Sequence, residues 1–222
     1  MLAGLNRTTA DTAQRPQVLH PSDPLMIDGV TRGPGQPRFN LRLERASCAT
    51  IAGPSGSGKS TLLRLIADLD PGLGTARIGD QIRELTPADE WRRQVIYVAS
   101  DSGWWGSPVS IHMADLDHAR RLLPALGLAN RLLDAAPDNI SSGERQRLAL
   151  LRAIVLRPRF LLLDEPTSNL DQTATMQVET LLMQLKRDGV GLLVVSHDPE
   201  QIARIADRRY VVSSCGLSEE LL

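Results

Sequence analysis

Two kinds of hydrophobic pattern alternate along this chain. Short apolar runs fall at 48–52 (Cys48-Ala49-Thr50-Ile51-Ala52), 94–99, 160–164 and 190–195. Runs of that length without polar alternation predict strands buried on both faces, as in a parallel sheet. Between them, apolar residues at helical spacing over 61–67, 142–156, 173–186 and 199–206 predict helices. Pro158 stops the second of these and Asp188-Gly189 the third. Nearer the N-terminus, 24–30 and 38–43 read as strands of a small antiparallel sheet, parted by Gly33-Pro34-Gly35-Gln36-Pro37. Pro71-Gly72-Leu73-Gly74 is expected to turn the chain before a strand at 75–78, and a last edge strand is expected at 210–212. From 101 to 139 the character changes: a loop at 102–108, then helical segments at 112–126 and 128–135, with no clear strand. Strands alternating with helices predict an α/β fold with a mostly parallel sheet, in one domain spanning 1–222. Residues 1–20 are expected to be loose, and a short helical insert occupies about 101–156.

Composition narrows the functions. The 222 residues are 42% hydrophobic and 23% charged, ordinary for a globular domain with a substantial core. Net charge is −1 with no concentrated basic tract, which argues against a nucleic-acid partner. Of the two cysteines, Cys48 lies in a predicted buried strand and Cys215 is far off, so a free thiol in a reducing compartment is the better reading than a disulfide or metal site. No apolar run is long enough to span a bilayer, and the N-terminal stretch lacks the apolar segment of a signal peptide. A membrane role would need another chain to cross.

The candidate chemistry begins between the strand at 48–52 and the helix at 61–67, where Gly53-Pro54-Ser55-Gly56-Ser57-Gly58-Lys59-Ser60-Thr61 matches G-x-x-x-x-G-K-[ST]. Such a P-loop wraps nucleotide phosphates: glycines let the backbone approach the anion, and the helix start adds free N–H donors. Lys59 is expected at the β- and γ-phosphates and the Ser60 hydroxyl on Mg²⁺. Further on, Asp164 closes an apolar strand and can hold that Mg²⁺, while Glu165 is placed to polarise a water in line with the γ-phosphate. Ile140-Ser141-Ser142-Gly143-Glu144-Arg145-Gln146-Arg147 opens a helix. Small hydroxyl and glycine residues there make either a second anion cradle or a plain serine cap with Glu144 in the first turn, and the residues alone do not separate the two. His197 by itself reads as an ordinary histidine.

The P-loop, 140–146, 161–166, Ser168-Asn169-Leu170-Asp171 and Ser196-His197-Asp198 stand in the order of the ATP-binding-cassette (ABC) ATPases. From about residue 24 onward the chain resembles a nucleotide-binding subunit of that family. The resemblance implies a P-loop NTPase core and a head-to-tail homodimer, or a pair with a related cassette, enclosing two ATP molecules with Mg²⁺. Ser141, Ser142, Gly143 and Glu144 would meet the γ-phosphate held by Lys59 of the partner subunit, and Asp171 would link the two sites. Glu165, His197 and Lys59 would be the catalytic residues. It also implies a cytoplasmic ATPase, peripheral on the inner face of the cell membrane, energising a separate transmembrane permease through ATP-driven dimer closure. The alternative is a soluble, non-transport ABC ATPase acting in assembly or regulation.

The chain departs from the family at several points. Ser100-Asp101 stands where a metal-touching glutamine is usual, so Asp101 could ligate the metal or a water could replace it. Ser142 and Glu144 replace a glycine and a glutamine. The adenine-stacking aromatic expected near Arg32 is missing, leaving the Arg32 guanidinium or Phe39 to approach the base. Trp104-Trp105 lies where the family receives a coupling helix of the membrane subunit, and adjacent tryptophans suit such a contact, although one of them could pack into the insert.

Overall fold

The computed structural model describes residues 19–213 and 216–220, so Cys215 and residues 1–18 of the stretch expected to be loose lie outside it. The last two residues of that stretch are held: Leu19 packs on the core, and the His20 N–H donates to Asp23 Oδ2 at 2.6 Å.

In chain order the described residues form β1 (Leu25–Thr31), β2 (Phe39–Leu43), β3 (Cys48–Ala52), α1 (Lys59–Ile66), β4 (Leu73–Ile78) and β5 (Gln81–Ile82). There follow α2 (Ala88–Gln94), β6 (Val95–Val98), α3 (Leu116–Leu122), α4 (Ser142–Ile154) and β7 (Phe160–Asp164). The chain closes with α5 (Gln172–Arg187), β8 (Gly191–Val195), α6 (Pro199–Ile205), β9 (Arg208–Ser213) and β10 (Gly216–Glu220). One sheet is antiparallel, ordered β2-β1-β4-β5; the other is ordered β10-β9-β3-β8-β7-β6. In the second sheet every pair from β9 to β6 is parallel and only β10 runs against its neighbour.

The unbroken apolar runs have their expected cause. On β7, Phe160 and Leu162 face a core built with Leu62, Leu63 and Ile66 of α1 and with the antiparallel sheet. Leu161 and Leu163 face the opposite core, with Leu148 and Leu151 of α4 and Val178 and Leu182 of α5. Both faces being covered, the strand has no polar alternation to display. Cys48 is a buried free thiol, and burial pushes it up to about 12.

Three expectations are corrected, and one helix had no counterpart among them. The strand around 210–212 is not an edge: β9 pairs with β3, and the edge is β10, whose sequence Gly-Leu-Ser-Glu-Glu carries almost no apolar signal. The turn expected at 71–74 is shorter, since Leu73 and Gly74 already belong to β4. Helix α2 was not expected because one apolar residue holds it: Trp91 is fully buried and its indole N–H donates to Ile66 O at 2.9 Å. The two helical segments expected at 112–126 and 128–135 are α3 plus single 3-10 turns at Val109–His112, Leu123–Leu126 and Asn130–Leu133. Pro124 cannot continue the α-helical ladder, and Gly127, at φ 63, turns the chain.

Candidate functional site

Three neighbouring strands of the parallel sheet, β3, β8 and β7, end together. Their outgoing loops are stitched: the Ser196 N–H donates to Ile51 O at 3.4 Å and the Glu165 N–H to Val195 O at 3.0 Å. The P-loop leaves β3, with Gly53, Gly56 and Gly58 at φ 146, 75 and 93, angles that a side chain resists. At Gly53 a Cβ would also lie 3.0 Å from Val212 O. Lys59 is buried, and its ammonium donates to Gly53 O and Pro54 O at 2.9 and 2.8 Å. Desolvation pulls Lys59 below the usual lysine value, while the charges of Glu165 and Asp164 hold it up. Ser57 Oγ is buried without a partner, a polar atom turned into the loop.

Asp164 is 5% exposed, and Tyr97 Oη donates to its Oδ2 at 3.0 Å. Burial, then the Asp164 charge, pushes the Tyr97 hydroxyl well above its usual value, so it stays a donor. Glu165 has φ 49, a strained angle for a residue with a side chain. That angle is braced from both sides, because its carbonyl accepts from Gln146 Nε2 at 2.8 Å and Ser168 Oγ at 3.1 Å. Its carboxylate meets His197, with Nε2 3.3 Å from Oε1. Glu165, Ser168, Leu170, Ser196 and His197 line a cleft of about 390 Å³. A second cleft, of about 470 Å³, lies over the P-loop between Gly58 and Thr61 on one side and Arg32, Gln36, Pro37 and Phe39 on the other. Phe39 is only 6% exposed there, whereas Arg32 is open to solvent.

At the start of α4 the capping reading is realised. The Glu144 N–H donates to Ser141 Oγ at 3.3 Å, and Glu144 Oε2 accepts from the Ser141 N–H and hydroxyl at 2.9 and 2.7 Å. The Ser141 hydroxyl and N–H hold the Glu144 carboxyl below its usual range. Ser142 and Gly143 follow in the first turn of the helix, and Gly143 packs against Leu170 and Asn169. Asp171 caps α5, accepting from the Ala174 N–H at 2.8 Å. Asp101 is exposed, and it shares a cleft of about 310 Å³ with Ser100, Ser142, Arg145, Gln146 and Asn169. The structure thus brings Lys59, Asp164, Glu165 and His197 to one edge, and the cleft that Asp101 lines adjoins it through Gln146, whose amide donates to the Glu165 carbonyl.

The two tryptophans differ in burial. Trp104 packs on the core, while Trp105 is 77% exposed. Both rings stand edge-on to His112, at 5.0 and 4.4 Å, and Arg152 covers both, at 4.5 and 5.1 Å. Sequence reasoning missed Tyr97 and the link made by Gln146. Each left one signal: Tyr97 is a polar group inside an apolar run, and Gln146 a buried polar residue on the helix face that also carries Ala149 and Leu150.

A glycine loop opening a helix at a strand end, with a buried acid closing a strand two places along the sheet, defines a P-loop nucleoside-triphosphate hydrolase. Within that class, residues 37–168 match the ABC transporter family model. The chain is 35% identical over 225 residues to the aliphatic sulfonates import ATP-binding protein SsuB 2 of Xanthomonas axonopodis pv. citri (strain 306), covering 95% of this chain and 76% of that one. It is 36% identical over 203 residues to the thiamine import ATP-binding protein ThiQ of Salmonella choleraesuis (strain SC-B67), covering 83% of this chain and 86% of that one. An ATP-binding cassette solved as a dimer in a post-hydrolysis state with ADP and Pi superimposes with a TM-score of 0.73 at 25% identity, over 88% of this chain and 97% of that one. The chain belongs to the ABC transporter family, as an ATP-binding subunit with ATPase activity.

Proposed function

We propose that two copies of this chain, or this chain and a related cassette, close head to tail on two ATP molecules and so drive a separate transmembrane permease. Water attacks the γ-phosphate in line. Glu165 orients that water and takes its proton, and Lys59 and His197 offset the charge gathering on the phosphoryl oxygens. The P-loop backbone from Gly53 to Thr61 holds the phosphates. Ser60 and Asp164 suit a hard divalent cation, both being oxygen donors, with Asp164 buried beside the loop. Mg²⁺ held by these two residues would supply positive charge against the triphosphate. Ser141, Ser142, Gly143 and Glu144 address the nucleotide held by the partner, and Asp171 lies at the join.

The observation that carries this reading is the 3.3 Å approach of His197 to Glu165 at the edge that bears the P-loop. Among the described residues no helix is long and apolar enough to cross a membrane. A subunit resting on the cytoplasmic face of the membrane, with Trp105 offered to an import permease, fits that and the import functions named for the relatives. The test is Glu165→Gln. Turnover is expected to fall by about 10²–10⁴-fold, while ATP binding persists and Mg²⁺–ATP drives the chain to a dimer in size-exclusion chromatography. Undiminished turnover, or a chain that stays monomeric, overturns the reading.

A further inference from the structure

We propose that Tyr97 is a positioning residue for divalent-cation binding, fixing the orientation of the Asp164 carboxylate through its phenolic hydroxyl. The proposal rests on the reading of Asp164 as a metal ligand and goes beyond it, to what makes that carboxylate a ligand of defined geometry.

Tyr97 lies on β6, opposite Leu162 of β7, and its side chain runs to the end of the neighbouring strand, where Oη donates to Asp164 Oδ2 at 3.0 Å. Asp164 is 5% exposed, and among the described residues the Tyr97 hydroxyl is the only hydrogen-bond donor to that carboxylate. A buried carboxylate with a single donor has one oxygen engaged and the other left for a ligand. The donor's chemistry matters. An arginine or lysine in the same place would neutralise the charge that attracts a cation, whereas a phenol fixes the carboxylate and leaves that charge intact. The ring itself is braced, being half-buried and packed on the core shared by α1 and the antiparallel sheet. Arg64, whose charge acts on Tyr97, is engaged in a two-pronged pair with Asp70, at 2.8 and 2.6 Å, and makes no hydrogen bond to Asp164.

The experiment uses the full chain with the non-hydrolysable analogue AMP-PNP and reads Mn²⁺ affinity from the electron paramagnetic resonance of the free ion. Tyr97→Phe removes only the hydroxyl. It is expected to weaken Mn²⁺ binding by about tenfold, with metal-free affinity for a fluorescent ATP analogue and the melting temperature unchanged. In steady-state ATPase assays the apparent KM for Mg²⁺ should rise, and saturating Mg²⁺ should restore kcat. Unchanged Mn²⁺ affinity overturns the proposal, as does a fall in kcat that saturating Mg²⁺ does not restore. Asp164→Asn is measured alongside. If it leaves Mn²⁺ affinity intact, the reading of Asp164 as a ligand fails; if it abolishes binding while Tyr97→Phe does nothing, only the role of Tyr97 fails.

Discussion

The P-loop edge and the start of α4 both present backbone N–H groups at the opening of a helix, and they are built in opposite ways. The P-loop has no capping side chain: Gly58, in a left-handed conformation, stands at the helix start. The Ser57 N–H closes the loop on Pro54 O, and no side chain takes the donors of the helix start. Behind it lie α1, Trp91 and a core shared by two sheets. The start of α4 is closed by its own side chains, Ser141 and Glu144 satisfying each other's donors. It stands beside short 3-10 turns that open on proline and whose hydrogen-bond geometry is poorer than an α-helix's. The first site is organised within one chain. The second is self-satisfied in the single chain.

The largest effect on this contrast should come from removing the support behind the P-loop. Trp91→Ala deletes a fully buried ring and its bond to Ile66 O, and chemical denaturation should report a loss of about 3–5 kcal/mol. An unchanged midpoint would mean that α2 does not brace α1.

The glycines sharpen the comparison. Gly53→Ala forces a side chain into a positive-φ position beside Val212 O, with strain of about 1–3 kcal/mol and weakened nucleotide binding expected by calorimetry. Gly143→Ala has no such angle. Its Cβ would press on the end of Leu170 at 3.1 Å and on the backbone Asn169 O at 3.2 Å, while the helix gains about 1 kcal/mol in propensity, so the two largely offset and stability should move less than at Gly53. Equal losses at the two positions would remove the distinction between a strained loop and an ordinary first turn.

The smallest effect is expected at the cap. Glu144→Ala should cost about 1 kcal/mol. Because Ser141 holds the Glu144 carboxyl below its usual range, this contribution is present above the unfolded value, about 4.3, and is lost as pH falls through the folded one. The stability gap between parent and variant should therefore be full at neutral pH and close in acid. A gap independent of pH would show that the cap acts through the serine hydroxyl alone.

Much of this was legible in order along the chain. The runs that became β3, β7 and β8, and the P-loop between β3 and α1, were clear because burial on both faces leaves an unmistakable apolar stretch and a phosphate cradle needs glycines in sequence. β10 and α2 were hidden: an edge strand with one covered face needs few apolar residues, and a seven-residue helix held by a single tryptophan has no period to detect.

The sequence by itself determined which groups could do the chemistry, since loop glycines, a lysine and strand-end carboxylates are local and written consecutively. Only the tertiary structure decided which of them meet. Tyr97, 67 residues before Asp164, became its hydrogen-bond partner. Such pairings depend on strand order and register, and these follow from how two apolar faces pack across the whole sheet, a property no short stretch of chain contains.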